Sequence, residues 1–255
     1  MSPMATSLIV LLSIFACAVI GVFLRNRFPS EHLSSDTKDV VKLVMGTVGT
    51  MTGMVLGLLV GAAKSSFDGQ QNGVAQLSSS IVVLDRTLEH YGPEAKDARA
   101  SLRESADDMI RRMWPEEQSA AEQPASGSSH DGRYDALYDR ILALQPKNDA
   151  QRTIHAQAMK IMHDTTQMRW QLFAQRSNTI PPAFLVLMVA WLSITFASYG
   201  LFAPRHATTF AVLFLGASVV SSAVFLILEL DHAFGGLIHV SSQPMRNAMS
   251  LLGKL

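Results

Sequence analysis

The chain has 255 residues, of which 48% are hydrophobic and only 16% charged, with Lys+Arg and Asp+Glu both at 21. A net charge of zero leaves no basic footprint for nucleic acid, so no nucleic-acid partner is expected. Cys17 is the single cysteine, which excludes an internal disulfide.

The charges are unevenly placed. None occurs from Met1 to Leu24, from Leu43 to Ala63, from Ser177 to Pro204, or from Ala207 to Leu228. Each run is mostly apolar and close to the ~20 residues needed to cross a bilayer core. The pattern predicts spanning helices near 6–24, 43–63, 181–202 and 208–229. The first run also carries "ACA" and Cys17, features of a cleaved or lipidated leader. It lacks the basic start such a leader needs, because Met1–Thr6 has no Lys or Arg.

Arg25 and Arg27 close the first span, and Ser35 or Asp36 is placed to cap the helix that carries the second. Residues 64–178 are polar, with 14 Lys+Arg and 16 Asp+Glu. They are expected to form a helical soluble domain inserted between the second and third spans, with main helices at 74–91, 94–114 and 149–178. Gly92–Pro93 stops the first of these, and Pro93 starts the next at a position proline tolerates. Residues 115–132 are rich in Ser, Ala, Gly and Pro and read as a flexible linker. "RYDALYDRILAL" is a short amphipathic helix, and Asn148 or Asp149 caps the long one after it. After the last span, a Gly-Gly turn leads to an amphipathic helix from about Pro244. The fold class is all-α integral membrane protein, divided at 1–63, 64–178, 179–230 and an amphipathic tail at 231–255.

"GTVGTMTGMVLGLLVG" puts glycines at 46, 49, 53, 57 and 61, inside the second span. At 3.6 residues per turn, Gly46, Gly49, Gly53, Gly57, Gly61 and Thr50 share a stripe about 120° wide. Lys42, Lys64 and Asp68 extend it. In lipid, small residues let backbones approach closely, so the stripe is a packing face against another helix of this chain or of a second copy. Alternatively it is a pore wall, with Lys42 at one mouth and Lys64 and Asp68 at the other.

Catalytic and metal motifs are absent: there is no H-E-x-x-H, paired cysteine, G-x-S-x-G or Walker loop. No catalytic residue, metal or cofactor is assigned, and the chain is read as not an enzyme. Ser193, Ser218 and Ser222 suit interhelical hydrogen bonds, and Asp85 and Arg86 read as a helix-face pair with neighbours or a domain–membrane contact. The span interiors carry no charge, which argues against a proton relay, voltage sensor or ion-coupled transporter.

Three blocks, "VGTMTGMVLGLLVGAAKSSFD", "LDRTLEHYGPEAKDARASLR" and "ELDHAFGGLIHVSSQPMRNAM", resemble the signatures of a bacterial bestrophin-like membrane family of unknown function. The resemblance covers nearly the whole chain. It departs at Ala233, where members carry proline, and near His239, where they carry a basic residue. It implies distant similarity to bestrophins, oligomeric anion channels with four spanning helices and a helical soluble part. The aromatic run that lines the bestrophin neck has no counterpart along this glycine helix.

The expectation is therefore a homo-oligomer in the lipid bilayer that passes small anions. The alternative is a non-conducting structural or sensory protein acting through its helical domain. Arg25, Arg27, Lys38 and Lys42 favour an outside N-terminus by the positive-inside rule, while Lys64, Lys160, Arg169, Arg176 and Arg246 flank the opposite side. The resemblance implies the bacterial inner membrane, with the termini and the soluble domain in the cytoplasm.

Overall fold

The computed structural model describes residues 2–25, 27, 35–115, 132–174 and 182–252. Within them the regular elements are helical: α1 (Pro3–Leu24), α2 (Ser35–Tyr91), α3 (Lys96–Met113), α4 (Gly132–Leu142), α5 (Asp149–Ala174), α6 (Pro182–Phe202), α7 (Ala207–Asp231) and α8 (Gln243–Leu251). A 3-10 turn at Pro93–Ala95 precedes α3. The linker expected at 115–132 and the end of the helix expected to reach 178 fall largely outside the described residues. The chain divides into two compact units, Met1–Ser66 with Asn178–His232, and Phe67–Ser177 with Ala233–Leu255.

In the first unit, α1, α6, α7 and the N-terminal part of α2 are each long and apolar enough to cross a membrane. Ser2 caps α1, its hydroxyl accepting from the Ala5 N–H at 3.3 Å, with Pro3 in the first turn. Every fourth residue of α1 from Val10 to Val22 is buried, and that face meets Met188, Leu192 and Phe196 of α6 and Leu213, Ala217 and Val224 of α7. At the α1–α6 crossing there is no room for a side chain. A Cβ on Gly21 would collide with the Ala197 carbonyl oxygen, and one on Gly200 with the Ala18 carbonyl oxygen.

The C-terminal ends of α1 and α6 are tied crosswise. Arg25 donates to the Ala203 carbonyl at 2.9 Å, and Arg205 donates to the Val22 carbonyl at 3.2 Å. Each guanidinium thus meets carbonyls that a helix end leaves without partners. α7 runs antiparallel to α1, with Phe15 edge-on to Phe214 and the Ser221 hydroxyl donating to the Ser7 carbonyl at 2.6 Å. Ser218 and Ser222, expected to bond between helices, instead bond back to the Phe214 and Val219 carbonyls of their own helix. A serine hydroxyl on a lipid-facing surface reaches its own preceding turn before any neighbour.

The second unit is built on the C-terminal part of α2, where Val74, Leu77, Ile81, Leu84, Leu88 and Tyr91 are buried at helical spacing. The helix read at 74–91 as an extension of the second span is one with it, since α2 is continuous through Gly69 and Gly73. An interior glycine costs a helix about 1 kcal/mol, less than packing returns. Gly73 also admits α5: a Cβ there would sit 2.7 Å from the Leu172 Cδ2. Gly92 has φ +121°, a conformation side chains disfavour, and turns the chain from α2 into the 3-10 segment. Of the two caps expected for α5, Asn148 serves, its side-chain oxygen accepting from the Gln151 N–H at 2.7 Å.

Residues from Ala233 onward belong to this unit. Trp114 is fully buried and its indole N–H donates to the Val240 carbonyl at 2.6 Å, with Phe234 edge-on to the ring. The loop after α7 closes through Val240 N–H donating to the Ala233 carbonyl at 2.7 Å. A proline at 233 would offer the same carbonyl, so the departure at Ala233 leaves this closure available. Asp85 is almost wholly buried, and the Arg99 Nε and Nη2 donate to its two oxygens at 2.8 and 2.9 Å. Arg86 makes the helix-face pair, with Glu89 at 3.2 Å.

Two outcomes follow from these contacts. Gly21→Ala and Gly200→Ala force backbones apart and each lower stability by about 1–3 kcal/mol, the range for overpacking, read as a lower melting temperature in detergent. Asp85→Ala leaves a half-buried guanidinium without its main partner and costs about 1–3 kcal/mol. Adding Arg99→Ala restores part of that loss, so the double variant melts above the sum of the singles; strict additivity refutes the pair's importance.

Candidate functional site

The N-terminal part of α2 is unlike the other three spans. Of its most apolar stretch 6% is buried, against 28% in each of the others, so the unit leaves most of its surface bare. Its residues sort into three faces. On the first, Thr52 and Ala63 are buried, and Leu56 and Leu59 rest against the core of the first unit. On the second, Val40, Leu43, Met51, Met54 and Leu58 are 62–76% exposed.

The glycine stripe forms the third face. A Cβ added to Gly46, Gly53, Gly57 or Gly61 would meet no atom within 4 Å. Gly49, at the edge of the stripe, has the Tyr199 hydroxyl of α6 at 3.7 Å from such a Cβ. Thr50 is exposed, and its hydroxyl donates to the Gly46 carbonyl at 2.9 Å. It therefore presents lone pairs outward and keeps its proton within the helix. Lys42 lies near Asp39 at 3.7 Å, with both side chains largely exposed. Lys64 is exposed and Asp68 half-buried. The two belong to different units, Lys64 to the first and Asp68 to the second.

Packing of the stripe against another helix of this chain, one of the sequence alternatives, is absent among the described residues apart from Tyr199 at Gly49. The close glycine packing within the protomer falls instead at Gly21 and Gly200. Both sit three residues after an alanine, Ala18 and Ala197, a small-residue spacing that was legible in the sequence but overshadowed by the longer stripe. Tyr199 was missed because a half-exposed aromatic in an apolar span gives no periodic signal.

The second unit holds a crevice of about 20 Å³ bordered by Ser105, Asp108, Arg112, Arg133, Tyr134 and Arg169. Asp108 receives Arg112 at 2.7 Å and Arg133 at 3.3 Å. The Arg169 guanidinium lies 4.0 Å over the Tyr134 ring. Burial pushes the Tyr134 phenol up to about 12, against the opposing pull of Arg169. Among the described residues no group of three His, Cys, Asp or Glu is placed to hold a metal.

Comparison with known proteins places this architecture. A crystal structure of a bacterial bestrophin homologue from Klebsiella pneumoniae superposes with a TM-score of 0.65 at 14% identity, covering 97% of this chain and 99% of that one. A single-substitution variant of that homologue gives 0.68 at 16% identity, covering 97% and 99%. An alanine variant described as a membrane protein gives 0.67 at 15% identity, covering 98% and 99%. Identity this low carries the fold alone, which is the bestrophin fold. The family model described as the Bestrophin-like domain matches residues 12–245. The chain belongs to the bestrophin-like family and is a membrane protein. Among curated proteins nothing matches.

Proposed function

We propose that the protein is an oligomeric channel for small anions in the bacterial inner membrane, with α2 of each subunit turned toward a central pore. The observation that carries this reading is the bare glycine stripe on a span that its own unit barely covers. A glycine face exposes backbone, which suits either water or a closely packed neighbour. The exposed Val, Leu and Met face beside it suits lipid or an adjoining subunit. An oligomer assigns both faces at once, with the large side chains in the ring contact and the glycines toward the axis.

Lys42 and Lys64 then place positive charge near the two ends of the wall, which raises the local concentration of anions. Between them the lining offers Cα–H groups and Thr50 lone pairs, with no fixed charge to trap an ion, and conduction needs binding weak enough to release. In this reading residues 64–178 form the soluble domain on the cytoplasmic side, as the family resemblance implies.

The test is planar-bilayer recording of the purified full-length protein. Wild type is expected to conduct chloride. Gly53→Leu or Gly57→Leu puts an isobutyl group on the stripe and is expected to lower conductance by at least about tenfold while the oligomer elutes unchanged. Leu56→Val and Leu59→Val, on the face against the core, leave conductance near wild type. A silent wild type of correct oligomeric size refutes the channel. Unchanged conductance in both leucine variants refutes the pore wall.

A further inference from the structure

The first unit contains a groove beside the span that carries the glycine stripe. It lies where the N-terminal turns of α2 pass the C-terminal turns of α6 and has a volume of about 170 Å³. Its lining includes Val41, Met45, Tyr199, Phe202 and Ala203, with Lys42 among them. Most of this wall is carbon. Its position coincides with the change from charged to uncharged sequence, since α6 ends at Phe202 and the charge-free run of α2 starts at Leu43.

Positive charge collects at this end. The Arg25 guanidinium sits on the carbonyl of Ala203, itself a lining residue, at 2.9 Å. Arg205 reaches the Val22 and Phe23 carbonyls of α1 at 3.2 and 3.4 Å. The Lys42 ammonium has Asp39 at 3.7 Å, with side chains 70% and 76% exposed. An ion pair that exposed holds the lysine only weakly. Carbon walls running inward from a cationic rim match one kind of molecule, an amphiphile with an anionic head.

We propose that this groove binds one anionic phospholipid. The phosphate sits at Lys42 beside Arg25, and one acyl chain lies along Val41, Met45, Tyr199 and Phe202. A basic pocket between spanning helices attracts such a headgroup by its charge. A phosphatidylcholine offers the same phosphate but brings its own cation into a site already rich in cations, so the groove selects against it. The assignment holds whether or not the protein conducts.

Native mass spectrometry of the full-length protein in neutral detergent tests it, with phosphatidylglycerol and phosphatidylcholine of matched chains as probes. The first phosphatidylglycerol is expected to bind about tenfold tighter than phosphatidylcholine, and Lys42→Glu to remove that preference. Val41→Trp fills the groove and is expected to weaken the first binding step for both lipids. It also serves if Lys42→Glu does not assemble. Equal affinity for the two lipids in wild type overturns the proposal, as does a preference that survives Lys42→Glu. A benzophenone side chain in place of Ser198, which also lines the groove, overturns it too if it labels a second copy of the chain instead of lipid, and assigns the groove to a subunit contact.

Discussion

In a bilayer, apolar side chains gain nothing by leaving lipid for protein, so a membrane unit is held together by how closely its backbones approach. The α1–α6 crossing is where this chain meets that constraint. At Gly21 and Gly200 each helix presses its backbone against the carbonyls of the other, at a separation that leaves no volume for one methyl group. The buried residues from Val10 to Val22 and the antiparallel contact with α7 extend the same α1 face. The crosswise arginines act at the end of the same pair of helices, where carbonyls would otherwise face a medium poor in donors.

The second unit solves the opposite problem. Its helices are amphipathic and bury ordinary Leu, Ile, Val and Met faces against one another. Specificity there comes from polar contacts with fixed geometry. The Arg99 fork fits both oxygens of a buried Asp85, and the Trp114 indole takes a carbonyl from the loop beyond α7. That indole bond ties the stretch after α7 to a residue more than a hundred positions earlier in the same unit.

Much of this was legible. Four charge-free runs located α1, the membrane part of α2, α6 and α7, because length and charge are the properties a bilayer selects on. Gly92 and Pro93 marked a real chain reversal, since a positive φ and a fixed φ each leave a residue-specific trace. What lets α2 pass Gly73 against a neighbour was not legible: Leu172 from α5 shows what the missing side chain makes room for. Nor was the partner of Asp85, fourteen residues away across the Gly92 turn, because pairing across a turn depends on the angle of the turn and not on spacing along a helix. At the candidate site, the residues of the stripe could be named from periodicity, but which of α2's three faces its own protomer leaves open required the structure.

The crosswise ties between Arg25 and Ala203 and between Arg205 and Val22 have a mechanical side. A slide of α1 along α6 by one turn, about 5.4 Å, would break both at once and drive Gly21 and Gly200 off their carbonyls. The two helices therefore behave as a single stiff strut. Among the described residues, α2 meets this unit through the buried Thr52 and Ala63, through Leu56 and Leu59 on apolar side chains, and near the Tyr199 hydroxyl at Gly49. A tilt or rotation of α2 against that strut exchanges apolar contacts and leaves both arginine ties in place.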